Sequence, residues 1–89
     1  MTVYVDDFDA PFRGMKMCHM IADNKQELIN FAGKLGLKPE WIQDKGHFVH
    51  FDISQSMKVL ALSKGAKSVT AAELVKIAIK NREQAKGNQ

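Results

Sequence analysis

Alternating apolar and polar positions predict three β-strands in the N-terminal part of the chain. Residues 2–6 carry an alternating pattern that is rich in β-forming side chains, and they are predicted as the first strand. The apolar run 15–22 is predicted as a second strand beside it, and the alternation over residues 47–53 predicts a third. Residues 7–14 carry a proline and a glycine, so we expect a loop there.

Helical spacing and capping signals predict three helices. Asn24 and Glu27 have the spacing of a capping box, and the apolar residues after them recur on one helical face up to a stop signal at Gly36. A second helix is predicted over residues 54–65. A third begins with another capping box at Thr70.

Three shorter elements complete the predicted order. We expect a single helical turn at residues 39–43, a turn at 44–46 and a short fourth strand at 67–69. The order β-β-α-β-α-(β)-α predicts an α+β fold, a small single domain with a sheet of three to four strands and about three helices packed on it. Residues 1–70 are predicted as its core, and residues 71–89 as a C-terminal helical extension with a frayed polar tail.

The composition fits one ordinary globular domain of 89 residues, with 45% hydrophobic and 26% charged residues. No apolar run reaches the roughly 20 residues that span a bilayer, so no membrane association is expected. The single cysteine, Cys18, excludes an internal disulfide and a four-cysteine zinc site, and we expect a buried thiol in a reducing cytoplasm. Because so small a chain buries little apolar surface alone, a homo-oligomer stays open.

Charge is divided unevenly along the chain. Residues 1–53 hold six basic and eight acidic side chains, whereas residues 54–89 hold seven basic and two acidic ones. The formal net charge of +3 therefore combines an acidic front with a basic rear, and it does not by itself indicate a nucleic-acid partner. The two parts are predicted either to form separate surfaces or to attract each other.

Aspartates and histidines in the acidic part are the main candidates for a functional site. They are Asp6, Asp7, His19, Asp23, His50 and Asp52. His50 and Asp52 are two residues apart in a predicted strand and so share a face, and Asp6 joins them if the first and third strands are neighbours. Such mixed ligands suit a divalent metal (zinc, manganese or iron) or a small polar ligand. The alternative is a set of surface groups in which an aspartate only orients a histidine.

A second candidate site lies at the predicted start of the second helix. Ser54, Ser56 and Lys58 surround a helix N-terminus, where N–H groups favour an anion such as a phosphate. The favoured interpretation is that Ser54 simply caps the helix.

A third candidate surface is the basic side of the last helix. Its residues are Lys76, Lys80, Arg82 and Lys86, and Lys64 and Lys67 would extend it. Such residues contact nucleic-acid phosphates or acidic proteins. Because surface helices usually carry mixed charges for solubility, nucleic acid is not the expected partner.

Several stretches of the chain, in the same order, resemble one protein family. They are residues 2–7, residues 19–43 with His19 and Asp23 near their start, His50-Phe-Asp52, and Lys64-Gly-Ala66. Over roughly residues 2–69 they are similar to the domain-of-unknown-function 4031 family of small bacterial and phage proteins. The resemblance implies a fold but no reaction, and the helix from Thr70 onward is expected to extend beyond the family core.

These features predict a small cytoplasmic binding module for a polar ligand or divalent metal, serving a bacterial or phage process. Two alternatives stay open. One is a metal-assisted phosphoester hydrolase, in which the same carboxylates and histidines hold the ion and one acts as general base. The other is a protein-interaction or nucleic-acid-associated factor that uses the basic C-terminal helix.

Overall fold

The computed structural model describes residues 2–7, 10–12, 15–44 and 48–87, and in these ranges it leaves out the side chains of residues 10–12, 15 and 82–87. Within these described ranges the chain forms five strand segments, three α-helices and one short 3₁₀ helix, Pro39–Trp41. The strands are β1 (Val3–Val5), β2 (Ala10–Phe12), β3 (Met15–Ala22), β4 (Phe51–Ser54) and β5 (Lys67–Ser68). The helices are α1 (Lys25–Lys34), α2 (Gln55–Ser63) and α3 (Ala71–Gly87).

The long strand β3 organises one mixed sheet. Met20 pairs with Val5 of β1 and also with Phe51 of β4, so β1 and β4 lie on opposite edges of β3. Met17 pairs with β2 and β4, which places β2 end to end with β1 on the same edge. Because β5 pairs in parallel with β1, the sheet is four strands wide, in the order β4-β3-β1/β2-β5.

Helices cover both faces of this sheet. Side chains alternate along β3, so Cys18 and Met20 enter one apolar cluster, to which α1 and α2 contribute. Ile21 points to the opposite face, where Leu74 and Ala78 of α3 cover it. The predicted α+β domain with a small sheet and three helices is therefore confirmed.

Local capping explains where the helices begin. The side chains of Asn24, Ser54 and Thr70 each accept a hydrogen bond from the backbone N–H three residues further on. Gly36 and Gly65 follow α1 and α2 with φ angles of 87° and 107°, which are the left-handed conformations that end a helix. All three predicted helix starts are confirmed. They could be predicted because each capping residue and the N–H that it accepts are only three residues apart in the sequence.

The strand predictions needed two corrections. Residues 7–14 were expected to form a loop, but they contain β2, because β3 is long enough to pair beyond β1 and an edge strand tolerates a proline. The third strand begins at Phe51 instead of residue 47, and His50 pairs with Gln43 in an isolated bridge before it. The predicted turn at 44–46 and the start of that strand fall largely on residues 45–47, outside the described residues.

The C-terminal helix is described as far as Gly87. Helix α3 spans Ala71–Gly87, and the expected fraying of residues 84–89 stays a prediction. Its sequence holds no proline and no glycine before Gly87, so nothing in it interrupts the backbone hydrogen bonds. In the part of the chain that the structure describes, no helix is long and apolar enough to cross a bilayer.

The buried thiol of Cys18 is expected to resist modification in the folded protein. Burial raises its pKa to about 11, and the nearby carboxylate of Asp6 adds to the shift. At about pH 8 only about one thiol in a thousand is then a thiolate, so we expect native alkylation by iodoacetamide to be far slower than alkylation in guanidinium, as followed by mass spectrometry. The folded state holds this proton more tightly than the unfolded state. The stability that the protonated Cys18 thiol contributes is therefore present at neutral pH and is lost as the pH rises towards 11. Equal native and denatured rates would contradict this prediction.

Candidate functional site

His19 lies at the centre of the predicted site because it stands in the middle strand. On one side of β3, His19 is directly opposite Asp52 of β4. On the other side, the backbone N–H of Asp6, one residue past the end of β1, donates to the carbonyl oxygen of His19 over 3.2 Å. Strand pairing thus places Asp6, His19 and Asp52 in one row across three strands.

The carboxylate of Asp6 is fully buried and is held by His19 through both of its oxygens. Asp6 Oδ1 accepts the backbone N–H of His19 at 2.9 Å, and Asp6 Oδ2 lies 2.8 Å from the Nδ1 atom of the same residue. The side chain of Asp6 is 1% exposed, so these hydrogen bonds replace water around its charge. A carboxylate can only accept, and Nδ1 therefore carries the hydrogen while Nε2 of a neutral His19 carries the lone pair.

His50 also places its Nδ1 atom near an acceptor, although its ring is inclined by 73° to that of His19. Its Nδ1 lies 3.3 Å from the carbonyl oxygen of Phe48, which can only accept a hydrogen bond. Its Nε2 lies 3.3 Å from Oδ1 of Asp52, and Nε2 of His19 lies 4.0 Å from that same oxygen. Two imidazole Nε2 atoms therefore converge on one carboxylate oxygen.

This convergence suits a metal cation when Nδ1 carries the hydrogen in both rings. A neutral imidazole then presents a lone pair from Nε2, and a carboxylate oxygen also presents lone pairs, so the two groups repel each other at these distances. A metal cation removes the repulsion, and so does a hydrogen on Nε2 of His50, which could then donate to Asp52. His19, His50 and Asp52 offer ligand atoms that all lie within 4.8 Å of one another. In a tetrahedral zinc site, ligand atoms about 2.0–2.1 Å from the ion lie about 3.3–3.4 Å apart, close to the His50–Asp52 distance.

The surroundings of the cluster are apolar on one side and open on the other. The Phe48 ring lies 4.8 Å from the His50 ring and 6.0 Å from the His19 ring, and it also packs into the apolar cluster beneath α3. The side chain of Asp52 is 47% exposed, compared with 25% for His19 and 18% for His50. An ion held by these three residues would therefore meet an apolar wall on one side and solvent on the other.

Two of the predicted site residues lie elsewhere and hold the fold together. Oδ1 of Asp7 accepts the backbone N–H of Ala71 at 2.8 Å, so Asp7 caps the first turn of α3. Asp23 accepts the backbone N–H of Thr2 at 3.0 Å and the hydroxyl of Tyr4 at 3.3 Å. Asp23 stands four residues beyond His19, a separation of about 13 Å along an extended chain.

The condition under which Asp6 was expected to join His50 and Asp52 is not met. The first and third predicted strands are not neighbours, because the second of them, β3, lies between β1 and β4. Asp6 contacts His19 of this intervening strand. Sequence reasoning also missed Phe48, although its spacing of two residues from His50 was a local signal that the two rings could share a face.

The predicted anion site shows the bonds of a capped helix. Ser54 Oγ accepts the backbone N–H of Met57 at 3.3 Å and lies 3.1 Å from Ser56 Oγ. Lys58 is partly buried, and its charge acts on the nearby Cys18 thiol. Ser54 thus has the capping role favoured above, and anion binding stays a prediction.

The basic surface is described only in part. Lys76 and Lys80 are exposed on α3, and Lys64 and Lys67 are exposed near it in sequence. Arg82 and Lys86 belong to the same helix, but their side chains lie outside the described ones. A role for this surface therefore stays a prediction.

A groove of about 490 Å³ lies away from the cluster. Its lining comes from the start of β1, the N-terminal half and end of α1, and the turn after α2, with Phe31, Lys34 and Lys64 among the residues. The groove belongs to the side of the sheet that α1 and α2 cover, whereas His19 and Asp52 face the α3 side. The groove and the cluster therefore lie on opposite faces of the sheet. The volume of the groove alone gives no reason to prefer it to the cluster as the functional site.

Fold and site together define a small α+β domain in which Asp6, His19 and Asp52 form a row across one sheet face, with His50 beside Asp52. The chain belongs to the family described as "Protein of unknown function (DUF4031)", whose family model matches residues 3–81. That match confirms the resemblance seen in the sequence, includes every residue of the cluster, and continues past residue 70 into α3. No match was found among curated proteins or among solved structures.

Proposed function

We propose that this domain binds a divalent transition-metal ion through Nε2 of His19, Nε2 of His50 and a carboxylate oxygen of Asp52. The observation that carries the proposal is the convergence of the two Nε2 atoms on Asp52 Oδ1 at 4.0 and 3.3 Å. Nδ1 of each imidazole lies 2.8 or 3.3 Å from an acceptor, and with the hydrogen on Nδ1 each ring directs its Nε2 lone pair towards Asp52.

The ligand set selects the class of ion. Imidazole nitrogen suits zinc, iron, cobalt and nickel better than it suits magnesium or calcium, which prefer oxygen ligands. Three protein ligands leave at least one coordination position, and it opens towards solvent beside Asp52. Water or a small polar ligand would occupy that position. The predicted polar ligand and the predicted divalent metal would then share one site.

The competing explanation is a hydrogen-bonded cluster without an ion. In that case Nε2 of His50 carries a hydrogen and donates it to Asp52, and no ion binds with appreciable affinity. A metal titration separates the two explanations because only the first predicts a stoichiometric ion.

Zinc binding by tag-free protein, prepared with and without His50→Ala, tests the proposal. After equilibrium dialysis against Zn²⁺ and elemental analysis, we expect about one ion per wild-type chain and a large loss in His50→Ala, because a two-ligand site binds far more weakly. Asp23→Asn is the matched control, since Asp23 is a carboxylate outside the cluster, and it should retain the ion. No ion in the wild type, or equal binding in His50→Ala, would refute the proposal.

A second candidate function is metal-assisted hydrolysis of a phosphoester. It is favoured by the solvent-facing coordination position, because an ion there would lower the pKa of a bound water and supply a nucleophile. A bis-(p-nitrophenyl) phosphate assay with Zn²⁺ or Mn²⁺ is expected to show turnover that Asp52→Asn removes. Metal binding without any turnover would leave the binding module as the function.

A further inference from the structure

We infer that Asp6 is a positioning residue that holds His19 in its Nδ1–H tautomer and so presents the Nε2 lone pair to the ion. The inference rests on the proposed function, because it explains how one of the three ligands is prepared. It concerns a residue that would not touch the ion, since Asp6 contacts the opposite nitrogen of the ring.

The geometry gives Asp6 little freedom. Its two oxygens accept from two atoms of one residue, the backbone N and Nδ1 of His19, at 2.9 and 2.8 Å. The backbone N–H of Asp6 also donates to His19 through the carbonyl oxygen, so the two residues are joined by three polar contacts. The side chain of Asp6 is almost fully buried, so its carboxylate cannot exchange these hydrogen bonds for bonds to bulk water.

Asp6→Asn is expected to reverse the tautomer instead of merely weakening the contact. The backbone N–H of His19 can only donate, so the amide oxygen of the new residue must stay opposite it. The amide NH₂ group then faces Nδ1 and donates to it. His19 must accept at Nδ1, and its hydrogen moves to Nε2, where it blocks the ion.

Nitrogen-15 NMR of the metal-free protein reads this tautomer directly. Two-bond ¹⁵N–¹H correlations distinguish the Nδ1–H form of a neutral imidazole from its Nε2–H form. We expect the Nδ1–H form for His19 in the wild type and in Asp23→Asn, and the Nε2–H form in Asp6→Asn. Asp23 is the matched control because its carboxylate also accepts one backbone N–H and one side-chain donor.

Zinc affinity completes the test. We expect Asp6→Asn to bind Zn²⁺ about 10–100-fold more weakly than the wild type, in the range found when the partner of a ligating histidine is removed. Unchanged affinity, or an Nε2–H tautomer for His19 in the wild type, would overturn the inference. The wild-type spectrum needs no variant, so the test stands even if Asp6→Asn does not fold. A wild type that binds no ion but shows the expected tautomers would instead refute the proposed function and leave the Asp6–His19 relation intact.

Discussion

Zn²⁺ at about 100 times its dissociation constant is expected to raise the melting temperature by about 10–20 °C, and His19→Ala is expected to abolish this shift. A ligand that binds only the folded state at that concentration stabilises it by about 2.7 kcal/mol, and each kcal/mol moves the melting temperature of a domain this small by about 4–8 °C. His19 is the central member of the cluster, since it contacts Asp6 on one strand and stands opposite Asp52 on another.

Differential scanning fluorimetry with increasing Zn²⁺ measures this shift. The variant's own melting temperature without metal serves as its baseline, so a general loss of stability does not imitate the effect. Asp23→Asn should keep a concentration-dependent shift like that of the wild type. If His19→Ala were stabilised as much as the wild type, the ion would be bound elsewhere.

Phe51→Ala is expected to lower the free energy of unfolding by about 3–5 kcal/mol, a large share of the stability of a domain of this size. Phe51 is 1% exposed, is the largest fully buried side chain described, and pairs with Met20 at the centre of the sheet. Its replacement removes apolar contacts and leaves a cavity between the sheet and the helices α1 and α2.

Urea denaturation followed by circular dichroism measures the loss. Val59→Ala provides the control, because Val59 is 67% exposed on α2 and its replacement should change stability by less than about 0.5 kcal/mol. A loss below about 1 kcal/mol for Phe51→Ala would contradict the packing described here.

The helices were predictable because their signals are local. Asn24, Ser54 and Thr70 each cap a helix by accepting an N–H three residues away, and that relation is visible in the sequence itself. The strand β2 was not predictable in this way. Its pairing depends on the length of β3, which lies further along the chain, and its proline normally indicates a break.

One contact of the candidate site could be predicted from local spacing, but the arrangement of the other residues could not. The spacing of His50 and Asp52 put both on one face, and the structure brings them together. The contact between Asp6 and His19 spans 13 positions and follows from strand order, which alternation alone does not determine. For the same reason Asp7 and Asp23, which have the same chemistry as Asp6, could not be separated from it in advance.

Crystals grown with Zn²⁺ and measured on both sides of the zinc absorption edge test whether His19, His50 and Asp52 together hold one divalent ion. We expect one anomalous peak about 2.0–2.1 Å from Nε2 of His19 and from Nε2 of His50, with a carboxylate oxygen of Asp52 at a similar distance. The absence of a peak at these three residues, or zinc bound at another place in the protein, would refute a metal site there.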